Sequence, residues 1–367
     1  MTDAPDPIDW PFAERVAHRV AGHDLLSTSY HRTSLDRDFA DATARAADLV
    51  AQFTGLQPRV DVALGQVVDR QEWVTLNLAS FRRILRPVTE RLGSRVGTGA
   101  VAGVGRRVAG AEAGVLLGWF GRRVLGQYDL LGAPAVGVPT DGRDADRSTS
   151  SEGAVYYVGP NVLGLEKRFG FQPAAFRLWI ALHEVTHLVQ FTGVPWMRDY
   201  FLSLIDESLR LLDPDPKRFA RAIGHVVEEL RAGRNPLEGG GLVTLFADER
   251  QRELLARIQA LMSVLEGHGN YVMDRLGADH VEGKDHMAKV LRERRVAGGA
   301  SRQVQKALGI ELKLKQYATG EAFFDAVERE AGDGALAALW RSPDALPTLA
   351  EIHAPTAWLT RIGAPTA

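Results

Sequence analysis

Two histidines and a glutamate lie inside an apolar run, "FQPAAFRLWIALHEVTHLVQFTGVP" at residues 171–195. His183, Glu184 and His187 match the pattern H-E-x-x-H. On a helix, two histidines four residues apart share one face, so both imidazoles can reach a single zinc ion and Glu184 can reach a water on it. The pattern predicts a zinc site with Glu184 as general base. The alternative is a pair of core histidines whose hydrogen bonds are satisfied within the protein.

The residues around this motif predict the helix that it requires. Pro173 suits the first turn of a helix, and Gly193 followed by Pro195 suits its end. The motif is therefore predicted in mid-helix. Because apolar residues occur on several sides of this helix, we expect it to be buried.

A zinc site of this type needs a third protein ligand. The extended pattern H-E-x-x-H-x-x-G-x-x-H does not apply, because Gln190 stands where the pattern has glycine. The segment "LMSVLEGHGNYVMD", residues 261–274, is a better source. Gly267 and Gly269 interrupt its helical pattern at about 1 kcal/mol each relative to alanine, so we expect another element to approach closely there.

Three polar residues of that segment are candidates for the site. Glu266 is predicted as the third metal ligand, and Asn270, one turn further on the same face, as its outer-shell partner. His268 is the alternative ligand. His268 lies on a different face of the helix from Glu266, among apolar residues, so it could instead be a histidine of the protein core.

The remaining sequence predicts helices around a small sheet. "AVYYVGPNV", residues 154–162, has the aromatic and β-branched residues of a strand, and Pro160 places its end at a sheet edge or in a turn. Residues 97–126 are rich in glycine and alanine. No strand precedes their GxG spacings, so they predict closely packed helices and no dinucleotide-binding site.

These patterns predict a mainly α protein with a small β-sheet, in the α+β class. We expect an N-terminal helical region over 1–150, a catalytic region over 151–330 and a C-terminal tail over 331–367. Residues 132–153 form the predicted loop between the first two regions. In the last part, "LGIELKLKQYATGEAFFDAVEREAG" predicts two helices that break at Thr319 and Gly320.

Composition excludes several classes of function. The formal net charge of −2 argues against broad electrostatic binding to nucleic acid. Because the chain has no cysteine, a metal must take nitrogen and oxygen ligands. No segment is apolar enough to predict a membrane span, and the N-terminus lacks the pattern of a signal peptide, so we expect a cytoplasmic protein.

The combination of "YYVGPN", "HEVTHLVQF" and "EGHGNYVMD" resembles a family of zincin-like metalloproteases common in actinobacteria. One branch of that family is named for association with biosynthesis of the deazaflavin coenzyme. The resemblance extends from "GQYDLLGAP" to "LGIELKLKQYATGEAF". It implies a mainly helical zincin-like fold and hydrolase activity, without naming a substrate.

We therefore expect zinc-dependent hydrolysis of an amide bond, with a peptide as the substrate class. Residues 154–158 are expected as the edge strand along which an extended peptide lies. Tyr271, His280 and His286 are the candidates for stabilising the oxyanion, and the choice among them stays open. The rival hypothesis is a non-catalytic helical binding or scaffold protein that keeps zinc for stability and is linked to deazaflavin coenzyme metabolism. The sequence does not determine the oligomeric state.

Overall fold

The computed structural model describes residues 6–24, 31–59, 65–93, 100–131, 154–211, 249–296 and 310–364. The chain divides into two compact units. The first comprises Met1–Arg198 and Val272–Met287, and the second comprises Asp199–Tyr271 and Ala288–Ala367. The predicted loop at 132–153 and the segment at 212–248 lie outside the described residues.

Most described residues are helical. The elements up to residue 211 are α1 (Trp10–Ala21), α2 (His31–Thr54), β1 (Gln66–Val68), α3 (Arg70–Gly93), α4 (Ala100–Gly121), β2 (Gly126–Tyr128), β3 (Val155–Val158), α5 (Gly159–Phe169), α6 (Pro173–Gly193) and α7 (Met197–Leu211). The later elements are α8 (Glu249–His280), α9 (Lys284–Val296), α10 (Ile310–Ala331), 3₁₀ turns at Asp333–Trp340 and Pro343–Ala345, α11 (Leu349–His353) and α12 (Pro355–Arg361). The fold class predicted from the sequence is confirmed.

Within the described residues, the sheet has three strands in the order β1, β3, β2. β3 pairs in parallel with β1, where Tyr157 is opposite Val67, and antiparallel with β2, where Tyr157 is opposite Gly126. The prediction that residues 154–158 form an edge strand is therefore wrong, since β3 is central and fully buried. Both partners have only three residues, too few to show the alternation of a strand. Pro160 lies in the first turn of α5, which begins where β3 ends.

The glycine-rich region forms α4, which packs against α1. A Cβ at Gly110, Gly114 or Gly118 would lie 2.4–2.6 Å from a backbone oxygen of α1 or its N-cap residue. These glycines recur every four residues, so they line one face of α4 and allow the two backbones to approach closely. The predicted packing of helices through small residues is confirmed.

The second unit contains a similar contact. A Cβ added at Gly320 of α10 would lie 2.2 Å from the carbonyl oxygen of Ser263 on α8, and one added at Gly267 would lie 2.5 Å from the Gly320 backbone. The close approach predicted for Gly267 is confirmed. The predicted break at Thr319 and Gly320 is wrong, because α10 is continuous there. Because Gly320 has no side chain, α10 can pack closely against α8 at this position.

The 3₁₀ turn at Asp333–Trp340, α11 and α12 all pack on α10. Trp358 is fully buried against Phe323, with ring centroids 5.3 Å apart, and its Nε1 donates to the Ala345 carbonyl. No helix within the described ranges is both long and apolar enough to cross a membrane.

Candidate metal centre and active site

Helix α6 carries the H-E-x-x-H motif and is anchored at its N-terminal end. It begins at Pro173, as predicted, with the Gln172 side chain accepting a hydrogen bond from the Ala175 backbone. Arg177 makes two hydrogen bonds with Glu166 of α5, at 2.8 and 2.9 Å, and also contacts Asp38 of α2. Arg177 and Glu166 are both buried, so this ion pair fixes the rotation of α6 about its axis.

The two histidines of the motif face each other across one helical turn. Their Nε2 atoms lie 3.2 Å apart, and their rings are nearly perpendicular, with an interplanar angle of 86°. Both residues are half-buried. Two imidazole nitrogens this close together on half-buried residues are a suitable pair of ligands for a metal ion.

Gln190, three residues after His187, is fully buried beside this pair. Its Oε1 lies 2.9 Å from His187 Nδ1. In the sequence, Gln190 stands out only as a departure from the three-histidine pattern. Its i, i+3 spacing from His187 was the signal that could have identified the contact.

Glu184 lies on the β2 side of α6. Its side chain covers Gly126, where an added Cβ would be 2.6 Å from Glu184 Cγ and 2.8 Å from Oε1. Tyr128 of the same strand stacks on Phe191, with ring centroids 5.8 Å apart. Gly126 therefore provides the space that the Glu184 carboxylate occupies, a contact between distant residues that no local pattern indicates.

Tyr157 is buried, and burial raises the pKa of its hydroxyl. The hydrogen bond with Thr43 lowers this pKa, and the negative charge of Glu184 raises it. The Tyr157 oxygen lies 2.9 Å from Thr43 Oγ1, and its ring stacks on Phe39 with centroids 3.9 Å apart. Tyr157 therefore stays neutral at physiological pH and connects the central strand to α2.

Glu266 joins the histidine pair. One ligand atom each from His183, His187 and Glu266 lie within 4.8 Å of one another. Further along α8, a Cβ added at Gly277 would lie 3.5 Å from Cδ1 of Trp179 on α6. All three residues are half-buried.

His268 lies in a different environment. It is about 200° around α8 from Glu266, and it is buried with ring centroids 4.8 Å from Trp340 and 5.3 Å from Phe324. Aromatic contacts of this kind are typical of a core histidine. Asn270, on the Glu266 face, is also buried, and its Nδ2 has no hydrogen-bond partner in the described ranges. Its outer-shell role stays a prediction.

The three oxyanion candidates lie in different surroundings. Tyr271 is buried and stacks on Phe324, with centroids 5.6 Å apart. His280 is exposed at the last residue of α8. The His286 Nε2 lies 3.3 Å from the Phe169 carbonyl oxygen. None of these contacts assigns the oxyanion role to one of them, and it stays a prediction.

The donor set fits zinc. Two imidazole nitrogens and one carboxylate oxygen are ligands that zinc accepts, and three protein ligands leave a coordination position for water or substrate. A buried carboxylate, Glu184, adjoins the first histidine in sequence. This group of residues could hold a metal ion beside a buried carboxylate, an arrangement typical of the zincin class.

Comparison with known proteins agrees with that class. The family model of the zincin-like metallopeptidases matches residues 8–359, and the chain belongs to this family. A crystal structure from Chloroflexus aurantiacus, described as a candidate hydrolase with a novel fold, is similar with a TM-score of 0.70 and 29% sequence identity. The similarity covers 97% of this chain and 99% of that one. No curated protein matches this chain.

Proposed function

We propose that this protein is a zinc-dependent hydrolase that cleaves an amide bond in a peptide. The observation that carries the proposal is that one ligand atom each from His183, His187 and Glu266 lie within 4.8 Å of one another. Helix α6, which carries the two histidines, also carries Glu184. Membership of the zincin-like metallopeptidase family supports the same reaction class.

The bound zinc ion would lower the pKa of a water molecule toward about 7 and polarise the scissile carbonyl. His183, His187 and Glu266 would hold the ion. The Glu184 carboxylate accepts a proton as the water oxygen forms its bond to the carbonyl carbon, and it delivers that proton to the leaving nitrogen as the C–N bond breaks. Gly126 leaves the space that this carboxylate occupies beside β2.

The substrate backbone is proposed to pair with β2. Among the described strands, β2 lies at one edge of the sheet, and Gly126 in it contacts Glu184. An extended peptide added to this edge would pass beside the general base, as in β-strand addition. β3 is unsuitable, because both of its edges are already paired.

The number of protein ligands separates the hydrolase from its rival. A zinc ion kept only for stability is normally enclosed by four protein ligands. Within the described ranges, the group around His183 offers three, which favours an open, catalytic site. An actinobacterial source and a link with deazaflavin coenzyme biosynthesis are proposals that rest on the sequence resemblance alone.

Replacement of the general base tests the mechanism. The purified protein is expected to carry one zinc ion per chain after dialysis, and to cleave members of a mixed peptide library identified by mass spectrometry. Glu184→Gln should keep the zinc and the fold, because the amide preserves shape, but lose roughly 10²–10⁴-fold in cleavage rate. A variant that cleaves at the parental rate would refute Glu184 as the base. A protein that takes up no zinc at micromolar concentration would refute the metal site.

A further inference from the structure

The hydrogen bond between Gln190 and His187 determines where the His187 ring carries its proton. The Gln190 Oε1 is an amide oxygen and can only accept, so His187 Nδ1, 2.9 Å away, is the donor. A neutral imidazole protonated on Nδ1 has its lone pair on Nε2. We infer that Gln190 is a positioning residue, which holds His187 in the tautomer that binds a metal ion. This inference deepens the proposed function and rests on its zinc site.

The same bond makes the two histidines unequal. The His187 Nε2 lone pair then faces His183 Nε2 at 3.2 Å, so in this arrangement His183 donates from Nε2. Metal binding through both Nε2 atoms requires a lone pair on each. His183 must then move its ring proton to Nδ1, whereas His187 already has the required form.

Burial and helix geometry make Gln190 suited to this task. Its exposed fraction is 0%, so water does not compete for the Oε1 contact. Both residues lie on α6, three positions apart, and the helix itself sets their spacing. A glycine, which the three-histidine pattern has at this position, could not supply the contact. Outer-sphere partners of this kind are worth roughly 10–100-fold in metal affinity.

The tautomer can be read directly in the metal-free wild-type protein. Nitrogen-15 chemical shifts of the imidazole rings, assigned to His187 by comparison with His187→Ala, distinguish a protonated Nδ1 from a protonated Nε2. We expect Nδ1–H at His187. A spectrum with Nε2–H at His187 overturns the inference. This measurement needs neither zinc nor a substrate, so its failure is distinct from a failure of the proposed hydrolase function.

Two variants of Gln190 test the effect on metal binding. Gln190→Met has a similar volume but no oxygen acceptor, and it should weaken zinc binding about 10–100-fold in competition with a chelator. A population with Nε2–H at His187 should appear in the same variant. Gln190→Glu keeps an oxygen acceptor and should retain both the Nδ1–H form and zinc affinity within a few-fold of wild type.

Thr186→Val is the matched control, since Thr186 is also fully buried on α6 and its hydroxyl donates to the Leu182 carbonyl rather than to a histidine. It should leave zinc affinity unchanged. If Thr186→Val and Gln190→Met lose zinc affinity equally, Gln190 is only a packing residue and the inference is overturned. Wild-type zinc affinity in Gln190→Met would also overturn it. If Gln190→Met does not fold, a His187 with Nε2–H in Gln190→Glu overturns the inference in its place.

Discussion

Glu266 and His268 lie two positions apart on α8, and their surroundings differ. Glu266 is half-buried with its carboxylate in the group with His183 and His187, whereas His268 is buried between Phe324 and Trp340. A proposed metal ligand and a core residue have different functions, so their removal should have different effects. The two truncations therefore separate metal binding from folding.

Glu266→Ala should weaken zinc retention by more than the roughly 10–100-fold typical of losing an outer-sphere partner, with a small change in the stability of the metal-free protein. His268→Ala should lower the free energy of unfolding by about 2–5 kcal/mol, the range for truncating a large buried side chain to alanine, and keep its zinc. Chelator competition and thermal melts of the metal-free proteins measure the two effects. Loss of zinc in His268→Ala but not in Glu266→Ala would identify a three-histidine site.

Gly126 is the second residue whose replacement should affect chemistry. Gly126→Ala would place a Cβ within 3 Å of three Glu184 atoms, so the carboxylate must move. We expect a lower kcat with zinc content unchanged. Gly164→Ala is the control, because nothing lies within 4 Å of a Cβ at that position in α5. Equal kcat values for Gly126→Ala, Gly164→Ala and wild type would contradict the proposed position of the base.

At the scale of elements, the contact between α1 and α4 depends on glycines. A Cβ at Gly114 would lie 2.4 Å from the Ala13 carbonyl oxygen, which belongs to a helix backbone and cannot turn aside. Gly114→Ala should therefore destabilise the protein by about 1–3 kcal/mol or more, as overpacking does. Denaturant unfolding followed by circular dichroism measures this change.

Gly105→Ala, in the same helix, should have the opposite effect on the stability of the protein. Nothing lies within 4 Å of a Cβ at Gly105, so the variant gains helix propensity and should stabilise by about 0.5–1 kcal/mol. If Gly114→Ala and Gly105→Ala shift the unfolding midpoint in the same direction, the glycines of α4 are not required for close packing of α4 against α1.

At the scale of the whole molecule, zinc should stabilise the folded chain. A ligand that binds only the folded state adds about 2.7 kcal/mol at a free concentration one hundred times its Kd. Adding zinc to metal-free protein should therefore raise the Tm measured by calorimetry. His183→Ala combined with His187→Ala should abolish the rise. An equal rise in that double variant would mean that zinc binds elsewhere on the chain.

The sequence by itself determined the features that depend on neighbouring residues. The motif helix begins at Pro173 and ends at Gly193, and the spacing of His183 and His187 places both on one face. The glycines of α4 also recur at helical spacing. Each pattern lies within one helix, where the 3.6-residue period relates sequence directly to direction. The segment around Glu266 was also recognisable, because glycines within a helix need a reason.

Only the tertiary structure decided the contacts between distant segments. It brought Glu266 to the histidines, placed Glu184 over Gly126, made β3 the central strand and kept α10 continuous through Gly320. A three-residue strand has no readable period, and a glycine has the same local signature whether it breaks a helix or packs against one. The difference lies in which backbone approaches it, and residues far away in the chain supply that backbone.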